Sequence, residues 1–258
     1  TGSTANWRSV FIALGLLGLL FSLTMFLLVP EPARRAPVVE AAEPRGQATL
    51  WVRRHSRFFA PHILASGLVA AALVAITAWT PARIARDFGW SEGRIAIGLG
   101  VSLLLSGPLG VTMAGLAAGA LQSRGANLGH MTVGLVALAL TLPTAALAPL
   151  CERPEPAILL TSLALAGLSG ALAVAPAPLV THAPGPIRGR LTGVYLMAVS
   201  LIGYGGGAWA PGQLSDWLGR GHLGAAISAT AASAVAGSMI LASLARYAAE
   251  RAWPQKAN

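Results

Sequence analysis

Charge is scarce in this sequence. Charged residues make up 10% of the 258 positions and hydrophobic residues 55%. A soluble globule needs more polar surface than that to face water, so a soluble enzyme or soluble binding domain is excluded. Lysine is almost absent, because all but one of the 18 basic residues are arginine. A lone cysteine, Cys151, rules out an internal disulfide and offers no metal site. A signal peptide is excluded as well: the first apolar run is too long and no small-residue cleavage pattern follows it. None of the nine acidic residues falls inside a long apolar run.

What is present is a set of seven uncharged stretches, 9–30, 58–82, 95–123, 125–151, 156–187, 191–215 and 221–245. Each exceeds the ~20 residues that cross a bilayer core as a helix. In hydrocarbon every backbone N–H and C=O must bond internally, and runs without period-2 alternation do so only as helices. The expected fold class is all-α, a polytopic transmembrane bundle of seven spans, with the lipid bilayer as first partner.

A formal net charge of +9 raises nucleic acid as a partner, but the arginines sit between the spans instead of gathering on one face. Orientation in a membrane explains the same residues, so no nucleic acid is expected. If the loop after the first span is cytoplasmic, that side holds twelve basic residues: Arg34, Arg35, Arg45, Arg53, Arg54, Arg57, Arg124, Arg188, Arg190, Arg246, Arg251 and Lys256. The other side holds six, Arg8, Arg83, Arg86, Arg94, Arg153 and Arg220. The N-terminus is therefore expected outside and the C-terminus in the cytoplasm. An arginine-rich, alanine-rich composition fits a GC-rich bacterial genome and a bacterial inner membrane.

The domain reading is a first span over 1–30, a hydrophilic loop over 31–57, a six-span domain over 58–245 and a cytoplasmic tail over 246–258. From Pro30 to Arg57 the sequence carries four prolines, three glutamates and six arginines. Its end, 50–59, mixes Trp51, Val52, Phe58 and Phe59 with Arg53, Arg54 and Arg57. That pattern suits a short helix at the headgroups or an ordinary solvated loop.

An internal similarity links two span ends. Gly119-Ala120-Leu121-Gln122-Ser123-Arg124 closes the third span. Gly212-Gln213-Leu214-Ser215-Asp216 closes the sixth, three spans on and on the opposite side. This is the trace a 3+3 inverted repeat would leave.

Four motifs in order then resemble the major facilitator superfamily. Asn6-Trp7-Arg8-Ser9-Val10-Phe11, an apolar span and Pro30-Glu31-Pro32 look like its sixth span and the start of its central loop. Trp79-Thr80-Pro81 through Arg86, with Phe88-Gly89-Trp90-Ser91 and Gly98, resembles the segment joining spans seven and eight. The Gly119 to Arg124 motif resembles its Gly-x-Leu-(Ala/Ser)-Asp-Arg loop. Arg190, Gly193, Gly203-Tyr-Gly-Gly-Gly207 and Gly212 to Asp216 are similar to span eleven of the spinster-like branch. Two departures stand out: Ser123 replaces the aspartate before the arginine, and Ala208 stands where the branch often has Gly-Pro.

The resemblance implies spans six to twelve of a secondary transporter, with the N-terminal spans missing or supplied by a partner chain. A start at Thr1 and an odd span count agree with a fragment or truncated frame. It also implies a small-molecule solute moved by alternating access. Spans facing the central cavity would be the second, third, fifth and sixth of this chain. His62, Ser66, Leu73, Thr77 and Thr80 share one helical face of the second, ending beside Trp79. Tyr195, Ser200 and Tyr204 add hydroxyls and rings on the sixth, with an aromatic-belt role open for Tyr204. The cavity candidates are His62, Ser66, Thr77, Trp79, Tyr195, Ser200 and Tyr204.

Gating candidates are Gly119, Arg124, Pro176, Pro178, Gly203, Gly207, Gly212 and Asp216. Prolines remove helix hydrogen bonds, and clustered glycines either permit tight crossing or loosen a helix by roughly 1 kcal/mol each. Small residues at four-residue spacing, Gly98, Ser102, Ser106 and Gly110, and Ser162, Ala166 and Gly170, read as helix-packing surfaces.

No carboxylate, lysine or arginine lies within the uncharged runs. Protons could be the coupling ion only through a carboxylate in the missing half or through His62, His130 or His182, which also read as solvated imidazoles near the cytoplasmic interface. No His-Glu-x-x-His, paired aspartates or Gly-x-Ser-x-Gly elbow occurs, so neither an enzyme nor a bound cofactor is expected. A non-transporting scaffold or receptor-like subunit is the rival reading. Hydroxyls, aromatics and no embedded charge lean towards an amphipathic or weakly polar organic solute.

Overall fold

The computed structural model describes residues 7–30, 47–219 and 221–253. Segment 31–46 of the expected loop, with Arg34, Arg35 and Arg45, lies outside the described residues, as do Arg220 and 254–258 with Lys256. The chain divides into two compact units, Thr1–Pro44 and Arg45–Asn258.

The first unit contains α1 (Trp7–Leu28), whose 22 residues carry one polar cluster at the start and then leucine, phenylalanine and glycine. At 1.5 Å per residue it is about 33 Å long, enough for a ~30 Å hydrocarbon core. Within it the Thr24 hydroxyl donates to the Leu20 carbonyl at 2.8 Å, so the side chain needs no water.

The second unit is a bundle of α2 (Gln47–Arg54), α3 (Ser56–Phe88), α4 (Glu92–Ser123), α5 (Gly129–Leu147), α6 (Pro154–Val174), α7 (Ala177–His182), α8 (Gly185–Val199), α9 (Gly207–Leu218) and α10 (Leu223–Ala252). A 3₁₀ turn, Ala148–Leu150, ends α5, and a π-helical turn, Ser200–Gly206, joins α8 to α9. With α1, the described residues hold seven stretches long and apolar enough to span a membrane. They coincide with the seven uncharged runs, and the protein is a multi-pass α-helical membrane protein.

Within the second unit connections between spans are short, which forces neighbouring spans there antiparallel. Between α3 and α4 only residues 89–91 intervene. Gly89 adopts φ 63°, a left-handed conformation that costs glycine little, and its N–H closes α3 on the Ala85 carbonyl at 3.2 Å.

α3 is the central helix of this unit and packs on α10, α6, α8, the π turn and α9. Its interior face is Val69, Ala72 and Ile76, meeting Leu138 of α5, Leu165 and Leu168 of α6, and Ile227 and Val235 of α10. Without a hydrophobic drive between helices in lipid, close backbone approach supplies the packing. Gly110 of α4 sits so tightly against the Ala166 carbonyl of α6 that a Cβ would overlap it. The Ser102 and Ser162 hydroxyls share a hydrogen bond of 2.7 Å across the same pair. The small residues of α4 and α6 are thus packing surfaces, as their spacing suggested.

The helix of the second span runs past its uncharged stretch to Phe88, which carries Arg83 inside the protein at 4% exposure. Expected as a loop arginine, it is a buried strut. Its Nη1 donates to Ala148 O at 3.3 Å and its Nη2 to Cys151 O at 2.6 Å, closing the 3₁₀ turn. Its Nε lies 3.1 Å from Asp87 Oδ2 but off hydrogen-bond alignment, so that contact is one of charge.

Candidate functional site

The cavity candidates do not form one cluster; the structure distributes them along the line where α3 runs beside α8, the π turn and α9. Both strands of this pair begin at the same end of the bundle, so they run parallel. Contacts climb in step: Ser66 with Tyr195, Gly67 with Ile202, Ala70 with Gly203, Ala71 with Gly207, and Trp79 with Ala208 and Gly212.

At the lower end His62 is buried, 6% exposed. The solvated imidazole expected there does not exist, because the α6–α7 break claims the ring. Pro176 and Pro178 lack the N–H that would continue the helix, and the Leu179 N–H turns back to Pro176 O at 3.1 Å. The Ala175 carbonyl is left without its helical donor. His62 Nε2 donates to it at 2.7 Å, a bond that fixes the proton on that nitrogen. Phe58 stacks on the other side of the ring, centroids 5.3 Å apart. Ser66 donates to its own helix at His62 O, 2.9 Å, and its hydroxyl meets that of Tyr195, which is 3% exposed. His62, Ser66 and Pro178 line a small, partly open cavity of ≈ 40 Å³ that His130 also borders.

In the middle, glycine replaces side chains at the crossing. A Cβ on Gly203 would lie 2.5 Å from the Ala70 Cβ, and one on Gly207 would collide with the Ala71 carbonyl. The π turn, Ser-Leu-Ile-Gly-Tyr-Gly-Gly, includes Gly203 and ends just before Gly207. A π turn opens one extra residue in the helix, and its weaker ladder marks functional sites far more often than chance. The crossing explains why the glycines are there; the π geometry was not readable from them.

At the upper end Trp79 Nε1 donates to Ala208 O at 2.9 Å and its ring fills the space over Gly212. Thr77 bonds to its own helix at Leu73 O, 2.8 Å.

Ser200 and Tyr204 face away from this interior. Tyr204 is 67% exposed, whereas Tyr195, nine residues earlier, is buried. The nine residues between them cross from α8 into the π turn, and the rings end on different sides of the span. Of the gating candidates, Gly119, Arg124 and Asp216 are exposed, and Arg124 caps α4. Pro176 caps α7 and Pro178 is buried within it. Sequence reasoning missed three partners: the Ala175 carbonyl, the Ala70–Ala71 step and Arg83. Only the last had a local signal, the i,i+4 pairing of Arg83 with Asp87.

The family follows from comparison with known proteins. The family model for the Major Facilitator Superfamily matches residues 1–211. The chain belongs to the Major Facilitator Superfamily. Among solved structures it is similar to a bacterial homologue of the human lysosomal transporter Spinster in its inward-facing, unoccupied conformation, with a TM-score of 0.63 and 20% identity over 98% of this chain and 60% of that one. The inward-facing, occupied form gives a TM-score of 0.60 and 21% identity over 96% and 60%. This chain therefore spans about 60% of the length of those transporters. No curated protein matches. The superfamily membership agrees with the resemblance of the motifs within residues 1–211, and the spinster-like resemblance holds at the level of fold.

Proposed function

We propose that this chain is the C-terminal part, spans six to twelve, of a secondary active transporter that moves a small organic or amphipathic solute by alternating access, without covalent chemistry. The observation that carries the reading is the parallel crossing of α3 on α8–α9. At its middle the glycine-faced π turn meets the Ala70–Ala71 step of α3 with no large side chain between the backbones, and a crossing of that kind slides or rocks at small cost. The Pro176–Pro178 break supplies a second soft joint at one end of the same interface.

In this reading the exposed side of the α8–α9 span, with Ser200 and Tyr204, faces the central pathway once the upstream spans are in place. Thr77 and Trp79 close its outer end. His62, Ser66 and Tyr195 form the internal support beneath it, and His62 is the group through which protons would act on this half. Gly203, Gly207 and Gly212 are the sliding surface, while Gly119, Arg124 and Asp216 mark the span ends. The basic residues favour a bacterial inner membrane with the N-terminus outside and the C-terminus cytoplasmic.

The test is proton-gradient-dependent solute flux in vesicles holding the chain alone or joined to upstream spans. Flux in the joined form only is expected. No flux in either form across a broad solute panel would favour a non-transporting scaffold.

A further inference from the structure

α4, α5 and α6 leave an apolar groove between them, ≈ 610 Å³ in volume, within the range of small-molecule sites. Glycine makes it: at Gly110 and Gly170 the α4 and α6 backbones touch, and at Gly167 the α6 backbone meets Thr141 of α5, so no side chain fills the space in front. The rim residues Met113, Leu140 and Leu163 are 66%, 71% and 52% exposed, and all belong to membrane spans. The groove therefore opens at bilayer depth. Along α5 it runs from Thr132 to Thr144, about 18 Å, roughly one leaflet of hydrocarbon.

Its end at Leu121 and Thr132 adjoins the α4–α5 turn; Arg246 and Glu250 also border Thr132 but pair with each other at 3.0 Å, which leaves the surplus charge there basic. Gln122 Nε2 donates to His130 Nδ1 at 3.1 Å, which leaves the Nε2–H of that ring as a donor. Arg124 caps α4, is exposed, and has no ion-pair partner among the described residues. The neighbouring Ser123, where a carboxylate would have competed for it, bonds instead to its own helix at Ala120 O, 3.0 Å. An unpaired guanidinium at a hydrocarbon edge, next to a chain-length apolar slot, matches a phosphate with an acyl tail.

We propose that the groove seats one acyl chain of an anionic phospholipid from the leaflet that the α4–α5 turn meets, with Arg124 and His130 holding the headgroup phosphate. The site does not depend on the transport reading.

Native mass spectrometry of the chain, purified in mild detergent, tests it with phosphatidylglycerol and phosphatidylcholine of identical tails. The chain should retain phosphatidylglycerol about fivefold better, the factor one arginine contributes near a headgroup. R124Q should remove that preference and R124K keep most of it. Ala117 is exposed and lines the groove, so A117F should expel both lipids while leaving helix content unchanged. Millimolar inorganic phosphate should not displace the lipid. Equal retention of the two lipids by the parent chain would overturn the proposal. So would a preference untouched by R124Q, displacement by free phosphate, or loss of the lipid on joining the upstream spans, which would make the groove a seat for protein.

Discussion

Gly203→Ala is the substitution that most sharply separates a built crossing from an incidental one. The added methyl lies 2.5 Å from the Ala70 Cβ, roughly 1 Å inside ordinary contact, and the next nearest atoms are the Ala70 backbone at 3.3 and 3.5 Å. Overpacking of this kind costs about 1–3 kcal/mol. Alanine gains about 1 kcal/mol of helix propensity over glycine, so G203A alone should be destabilised by roughly 0–2 kcal/mol. Ala70→Gly alone should cost about 1 kcal/mol of propensity. In the double variant the clash is gone and the propensity changes cancel, so it should match the parent. The cycle should thus show a coupling of about 1–3 kcal/mol. Reversible unfolding in mixed detergent and dodecyl sulfate micelles measures all four proteins. Strict additivity would refute the close approach. Gly207→Ala is the control, since its clash is with the Ala71 backbone carbonyl and A71G should not rescue it.

His62→Gln keeps a donor within reach of the Ala175 carbonyl, whereas His62→Leu strands it at a cost of about 1–3 kcal/mol. Unfolding should rank parent, H62Q and H62L in that order, and equal stability of the last two would deny the cap; if His62 also acts on protons, H62Q flux should lose gradient dependence at near-parent stability. Arg83→Ala removes two donors to the turn carbonyls and should cost about 2–4 kcal/mol, with R83K recovering less than half, because one ammonium cannot reproduce the spread of the fork. Trp79→Phe should cost about 1 kcal/mol for the lost bond to Ala208, and Trp79→Ala clearly more for the emptied space over Gly212.

The spans were legible because hydrocarbon tolerates so little: charge spacing alone located all seven spans among the described residues, with ends within seven residues of the helices. The α6–α7 break was legible too, since Pro176 and Pro178 remove helix donors wherever they stand. Arg83 was misplaced because an uncharged run ends where the charge begins, while the helix continues and finds carbonyls for it to hold. The candidate stripe on α3 was a sound helical face, yet a face says nothing of what lies opposite. His62 and Ser66 met the break and Tyr195 as well as a small cavity of ≈ 40 Å³. Tyr195 and Tyr204 were paired by chemistry, yet one is buried and the other exposed across the π turn. The glycines of 203–207 announced a close approach, but the partner step at Ala70 and Ala71 and the π turn come from tertiary packing more than 130 residues away.

The most direct test of alternating access concerns the outward face of the α8–α9 span. Replacing the lone Cys151 of this chain and every cysteine of the upstream spans by serine, and Ser200 by cysteine, leaves one thiol, on an exposed side chain beside Tyr204. In vesicles carrying the chain joined to its upstream spans, a membrane-impermeant thiol reagent should label it from one side without a proton gradient, and the labelled side should exchange when a gradient or transported solute is applied. No labelling from either side, as for a lipid-facing position, or labelling from one side whatever the conditions, would contradict the account.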